Sequence, residues 1–340
     1  MLEFESDCIR LHQIASDRIE EGGILLSAPA TQAPVKHRTI RRYFKRWEHP
    51  FVGYAFLTPW LIGFFGLTLG PMIMSVYYAF TDYSLLEKAN WVGLSNFSRI
   101  LLGDSTFGKS LNVTLLFVVL SVPLKLMFAL AVAMLLNKEL RGMSLYRLFI
   151  YFPSLIGASL AVAVLWQRIW SRDGFINEIL GIFGIQGMNW VNDPRTALGT
   201  LVILVVWQFG SSMVIFLAGL KQIPREYYEA SSVDGSGKVR QFFMITLPLL
   251  SPIILFNLVL QTINSFQMFT QAFVITEGGP MQSTYMYTLY LYDRAFGRLQ
   301  MGYASALAWI MLLVIAAATA LIFLSSKFWV FYENEGRKSK

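Results

Sequence analysis

Long, almost uninterrupted apolar runs recur six times along the chain, at roughly 51–80, 111–136, 146–170, 197–220, 249–275 and 302–326. An α-helix needs about 20 predominantly apolar residues to cross the hydrocarbon core of a bilayer. Each run is too long for a buried strand and lacks the polar face of an ordinary amphipathic helix. The pattern predicts an all-α integral membrane protein with about six transmembrane helices. Runs three and four carry Ser, Gln and Gly among their apolar residues, which suits packing against other helices better than facing lipid. Trp47, Trp91, Trp170, Trp190 and Trp329 flank several runs, where indole rings favour the membrane–water interface.

The polar stretches between the runs alternate in positive charge. Lys36, Arg38, Arg41, Arg42, Lys45 and Arg46 precede the first run, and Lys138, Arg141 and Arg147 separate the second from the third. Lys221, Arg225, Lys238 and Arg240 separate the fourth from the fifth, and Lys327, Arg337, Lys338 and Lys340 follow the sixth. The alternate loops hold fewer: Lys88, Arg99 and Lys109, then Arg172 and Arg195, then Arg294 and Arg298. Lys and Arg are retained on the cytoplasmic side, so both termini are expected inside. The expected organisation is a basic cytoplasmic tail at 1–50, a six-helix membrane domain at 51–326 with a cytoplasmic loop at 221–248, and a second basic cytoplasmic tail at 327–340.

Composition sharpens this picture. Of the 340 residues 55% are hydrophobic and 14% charged, with a mean hydropathy of +0.51; soluble domains carry about 25% charged residues. The formal net charge of +7 would suggest nucleic acid in a soluble protein. Its distribution reads here as membrane orientation instead, and no nucleic-acid partner is expected. One cysteine, Cys8, can close no internal disulfide. His12, His37 and His49 all precede the first run without metal-ligand spacing, so no metal site is expected. The apolar stretch Ile24–Ala28 is too short for a signal peptide and follows Glu20 and Glu21 where positive charge belongs. Residues 1–35 read as a poorly ordered or amphipathic extension.

The cytoplasmic loop carries the most structured polar sequence. Pro224 suits the first turn of a helix, Glu226 and Glu229 favour its positive end, and Gly235 and Gly237 supply a tight stop. A second short helix, about Lys238 to Ile245, would lead to Pro248 and the fifth run. Two short helices joined by a glycine turn make a knob suited to a partner's groove. The order Glu229-Ala230-Ser231, three residues, Gly235, nine residues, Ile245, one residue, Leu247-Pro248 resembles the "EAA" loop of ABC-importer permeases. Gln222-Ile223-Pro224, Asp234-Gly235, Thr276-Glu277-Gly278-Gly279-Pro280 and Gly302-Tyr303-Ala304-Ser305-Ala306 resemble the carbohydrate branch of that family. The family usually has Ala where Ser231 stands, a change of one small residue for another.

The resemblance, from about Phe51 to Glu333, implies a type I (MetI-like) importer permease fold in the cell membrane of a prokaryote. It implies that Glu229, Ala230, Ser231, Asp234, Gly235, Ile245, Leu247 and Pro248 form the coupling loop that docks on a separate ATPase. The implied partners are a second homologous permease, with a heterodimer expected, two copies of the ATPase, an extracytoplasmic solute-binding protein, and a sugar or oligosaccharide. No cofactor is expected on this chain, and ATP and Mg would be used by the partner. Without a nucleophile elbow or an intramembrane carboxylate pair, the chain is not expected to be an enzyme.

Gly103-Asp104-Ser105-Thr106-Phe107-Gly108-Lys109-Ser110 fits the phosphate-loop pattern letter for letter. That loop requires a strand before it and a soluble helix after it, whereas this one leads into a membrane run. It is expected to be the start of the second span and not a nucleotide site.

Polar residues inside a span are costly and tend to face a cavity or another helix. Gln261, Asn264, Ser265 and Met268 are spaced to share one helical face, and the fourth run adds Trp207, Gln208, Ser211 and Ser212. Neutral hydrogen-bonding groups beside Phe266 and Phe269 suit sugar hydroxyls and sugar rings, and the resemblance places the pathway in this part of the fifth helix. Interhelical packing is the plainer role for the same residues. Lys125 is the basic group at depth; it could snorkel, pair with a partner helix or attract an anionic substrate, and a structural role is the expectation. Scarcity of basic groups there favours neutral sugars over a phosphorylated solute such as a glycerol phosphate. A secondary transporter would call for inverted repeats and buried ionisable groups.

Overall fold

The computed structural model describes residues 50–138, 142–157 and 159–332. Cys8, His12, His37, His49, Trp47, the basic run Lys36–Arg46, Arg141 and Arg337, Lys338 and Lys340 lie outside them. Among the described residues the chain is helical, with only isolated bridges, Thr81 to Trp91 and Ser84 to Glu87, in place of a sheet. Among the described residues four helices are long and apolar enough to cross a membrane, and six if each of two bent helix pairs is one span.

The chain divides into two compact units, Met1–Phe65 and Gly66–Lys340. In the described part of the first, helix α1 (Pro50–Gly63) exposes Phe56, Leu57, Trp60 and Ile62. An apolar helix that buries so little of itself is matched to a hydrocarbon solvent. Trp60 stacks on Phe64 at 5.2 Å between ring centroids.

The second unit contains α2 (Gly70–Ala79), α3 (Ser105–Leu136), α4 (Met143–Ile156), α5 (Leu160–Ile169), α6 (Phe175–Ile182), α7 (Ala197–Trp207), α8 (Gly210–Leu220) and α9 (Arg225–Val233). It continues with α10 (Leu247–Phe266), α11 (Thr270–Ile275), α12 (Tyr287–Tyr292) and α13 (Met301–Ser326). Helix α3 is the central post, touching α7, α8, α10 and α12. Its fully buried Ala129 and Ala133 belong to a core with Met213 and Phe216 of α8 and Leu250 of α10. Small side chains allow such close helix approach in a membrane, where burial in lipid offers no gain. Helix α13 packs on α2. A Cβ on Gly302 would lie 2.1 Å from the Thr81 carbonyl oxygen, so only glycine permits that approach.

Run boundaries differ from the hydropathy reading in four places. Helix α3 begins at Ser105 and not 111, because Asp104 caps it by accepting the Thr106 amide at 2.9 Å. The third run is two helices, α4 and α5, meeting at 96°. Ser159 restarts the chain with extended backbone and accepts the Val162 amide. The fourth run bends by 42° between α7 and α8, at Gln208 and Phe209.

The fifth run is shifted. One helical stretch, Lys238–Phe266, joins the expected second loop helix to the span, and the chain breaks at 267–269 before α11. The segment Phe242–Thr246 within that stretch is π-helical and leads directly to Pro248. A wider turn relieves the clash between a proline ring and the preceding turn, so the stretch continues where a break is expected. Gly302–Ser326 needed least revision, with α13 starting at Met301.

Candidate functional site

Three chain breaks meet around one hydrogen-bond acceptor. The Gly157 carbonyl, beside the α4–α5 bend, accepts from Gln208 Nε2 at 2.8 Å and from Gln271 Nε2 at 3.4 Å. Gln208 stands at the α7–α8 bend and Gln271 follows the break after α10. A broken helix leaves backbone groups without partners, and side-chain amides re-satisfy them at membrane depth. Gly157 must be small, since a Cβ there would come within 2.4 Å of Gln208 Cγ.

Beside this junction lies a cavity of about 360 Å³. Its lining includes Gln208, Ser211, Gln261, Asn264, Ser265 and Met268, six of the eight residues expected on a pathway. Gln261 and Ser265 are buried, whereas Asn264 is exposed. Met268 reaches the cavity from the irregular turn after α10, not from the helical face expected of it. Trp207 and Ser212 lie off the lining. The Trp207 ring packs 5.9 Å from Trp166 against a buried apolar cluster, and Ser212 is fully buried. Sequence reading missed Gln267, Thr270 and Gln271, hydrogen-bonding side chains exposed to the cavity by the break itself. Lys125 also lines it, and its Nζ donates to Gln261 Oε1 at 2.8 Å.

The loop at 221–248 forms a second site. Pro224 stands just before α9 as its cap residue, Glu226 lies in the first turn, and Asp234 closes it. Gly235 takes φ +78°, and the amides of Gly235 and Ser236 return to the carbonyls of Ser232 and Ser231 at 3.0 Å each. That is the left-handed glycine stop read in the sequence. Tyr228 and Thr246 share a hydroxyl hydrogen bond of 2.9 Å, and Gln241 Nε2 donates to Ser232 Oγ at 2.8 Å. These bonds fasten α9 to the foot of the fifth span. Glu229, Ala230, Asp234 and Gly235 are exposed, while Ser231, Ile245, Leu247 and Pro248 are half-buried beneath them. An apolar cleft of about 600 Å³ runs between α9 and this foot, lined by Tyr227, Ala230, Ser231, Asp234, Ile245, Pro248 and, from after the sixth span, Phe331.

At the opposite end of α3, the phosphate-loop string serves as a cap. No strand precedes it among the described residues; Gly103 ends a π-helical turn and Asp104 opens α3. Asp104 Oδ2 accepts from Arg294 Nη2 at 2.7 Å, Tyr290 Oη at 2.5 Å and Tyr303 Oη at 2.8 Å. Burial pushes this carboxyl up, but the two hydroxyls, the Thr106 amide and the guanidinium outweigh it and hold it at about 2. Burial and the Asp104 hydrogen bond push the Tyr290 hydroxyl up. Close by in sequence, Thr276–Pro280 forms a tight turn in which Gly278, at φ +82°, lies where a Cβ would meet the Tyr285 ring. Thr284 Oγ1 donates to the Gly279 carbonyl at 2.6 Å.

A bundle of broken apolar spans around a polar cavity, with a polar helical knob at its end, defines a multi-pass membrane transport component. Residues 114–332 match the family described as "binding-protein-dependent transport system inner membrane component", and the chain belongs to that family. It is 48% identical over 313 residues to a probable ABC transporter permease, YesP, of Bacillus subtilis, covering 91% of this chain and 99% of that one. It is 31% identical over 303 residues to the lactose transport system permease LacF of Rhizobium radiobacter, covering 87% and 99%. The fold matches a chain in the crystal structure of a bacterial alginate ABC transporter in complex with an alginate pentasaccharide-bound periplasmic protein. The TM-score there is 0.72 at 21% identity, covering 84% of this chain and 97% of that one. The fold is thus the MetI-like permease fold, and the chain is an ABC transporter permease of the inner membrane.

Proposed function

We propose that this permease forms half of the pathway for a sugar or oligosaccharide and is driven by ATP hydrolysed on a separate subunit. The cavity carries the proposal: Gln208, Ser211, Gln261, Asn264 and Ser265 converge on it from two broken spans. Substrate sites of transporters commonly lie at such discontinuities near mid-membrane. Amide and hydroxyl groups offer the donors and acceptors that sugar hydroxyls need, and Phe269 in the lining offers a ring for an apolar sugar face. Transport of lactose by one relative, and the saccharide-loaded periplasmic partner of the alginate transporter, support the same substrate class.

Both termini and the α9 knob face the cytoplasm in this reading, as the positive charge on the 221–248 loop supports. A second, homologous permease completes the pathway. Two copies of an ABC ATPase, using ATP and Mg, receive the knob through Glu229, Ala230, Ser231, Asp234 and Gly235. A solute-binding protein delivers the sugar at the opposite end. Closure of the ATPases moves α9, and its bonds through Tyr228 and Gln241 carry that motion to the foot of the fifth span.

The test uses the assembled importer in proteoliposomes. Glu229→Lys and Gly235→Pro are expected to abolish uptake and substrate-stimulated ATP hydrolysis while the chain still inserts. Asn264→Leu is expected to change substrate preference without loss of basal hydrolysis. Normal uptake in both loop variants would overturn the coupling role, and an unchanged substrate profile in Asn264→Leu would reduce that residue to packing.

A further inference from the structure

We infer, resting on the transport reading above, that the solute carries a carboxylate and that Lys125 receives it in the cavity. The substrate class is then an acidic sugar or an oligosaccharide containing one, such as a hexuronate.

Lys125 is 7% exposed and lies within α3, the central membrane helix. An ammonium at such depth is costly, and where it persists it snorkels to the interface, pairs with another group, or faces a cavity on a substrate path. Lys125 takes the last of these places, in the lining of the cavity. It is enclosed, and among the described residues no carboxylate forms an ion pair with it. Its partner is the neutral Oε1 of Gln261, 2.8 Å away, which leaves two of its three ammonium donors without a protein acceptor among those residues. The cavity lining contains no Asp or Glu, so Lys125 supplies its one formal charge, and that charge is positive.

Gln261 strengthens the inference. Its Oε1 is taken by Lys125, and its Nε2 makes no hydrogen bond within the described chain. An ammonium and an amide N–H held side by side suit the two oxygens of one carboxylate, in charge-assisted hydrogen bonds stronger than neutral ones. The rest of the lining limits the charge of the ligand. Gln208, Ser211, Asn264, Ser265, Thr270 and Gln271 are neutral partners for hydroxyls. One lysine balances a monoanion but leaves a phosphate dianion half-neutralised in a low-dielectric site.

The test is equilibrium binding to the assembled importer in nanodiscs, without the binding protein, so that only the membrane site selects. The probes are disaccharides containing glucuronate, galacturonate or mannuronate, each paired with its carboxyl-reduced neutral counterpart. At least one acid is expected to bind about tenfold or more tightly than its neutral partner. Lys125→Met is expected to erase the difference, and Lys125→Arg to keep it. If Lys125→Met fails to assemble, Lys125→Arg and the wild-type pairwise comparison decide. Equal binding of each pair, stronger binding of the neutral member, or an acid preference that survives in Lys125→Met overturns the inference. Equal binding is also the result expected if an acidic side chain of the second permease already neutralises Lys125. Neutral disaccharides that bind and are disturbed by Asn264→Leu would leave the sugar-transport reading standing. A complex that binds no saccharide in either form would count against both.

Discussion

Asp104 shows how much a single side chain can organise. It caps the central helix and holds an arginine and two tyrosines from the far end of the sequence, with side-chain exposures of 10% for Asp104 and 9% for Arg294. Arg294 also lies over the Tyr290 and Tyr303 rings at 5.2 and 5.0 Å. Removing one partner of such a pair leaves a buried charge uncompensated, so Asp104→Ala is expected to destabilise the fold by about 3 kcal/mol. Detergent-solubilised protein monitored by thermal unfolding would report it. The carboxyl lies below its ordinary value of 3.8, at about 2, so its stabilisation is complete above pH 4 and lost as pH falls through about 2. Asp104→Asn is expected to lack that part of the acid destabilisation; an acid limb identical to wild type would exclude the role. None of this was legible in the sequence. The partners lie 186 to 199 residues away, and the local string around Asp104 spells a nucleotide motif.

At the scale of elements, the apolar runs were legible and their breaks were not. Hydropathy sums side-chain preference over a window and is blind to direction, so a 96° bend leaves it unchanged. The polar residues of the breaks and the cavity were visible in part: Gln208, Gln261 and Asn264 stood out as polar letters in apolar runs. Gln271 did not, because its meaning depends on the break that precedes it. The Gly157 junction makes the point testable. Gly157→Ala would force Gln208 off the carbonyl it bonds, since the added Cβ falls 2.4 Å from Gln208 Cγ. A lower melting temperature and a shifted substrate affinity are expected together. A change in neither would show that the three breaks are held independently. The glycine stop at Gly235 was legible for the opposite reason, because the geometry it requires is local and chemical.

At the scale of the molecule, many large apolar side chains, among them Leu67, Leu102 and Phe149, remain exposed. Such a surface requires lipid or another apolar subunit, not water. The proposed orientation is open to a direct measurement in a Cys8→Ser background. A cysteine at Ser236 is expected to react with a membrane-impermeant maleimide only after the cells are opened, and one at Gln282 in intact cells. Labelling of Ser236→Cys from outside would invert the assignment and remove the coupling role from α9. The proposed orientation rests on charge bias, a bulk property of loops, whereas the cavity depends on how three interrupted helices fit together.

Beyond the sixth span, the Phe331 amide donates to Ser251 Oγ at 2.8 Å, and the Phe331 side chain joins the wall of the cleft under α9. A fluorescent protein inserted directly after Tyr332 would therefore emerge beside the surface on which a motor subunit is proposed to sit. Reporter fusions built that way would risk crowding out the neighbour whose recruitment they are meant to follow.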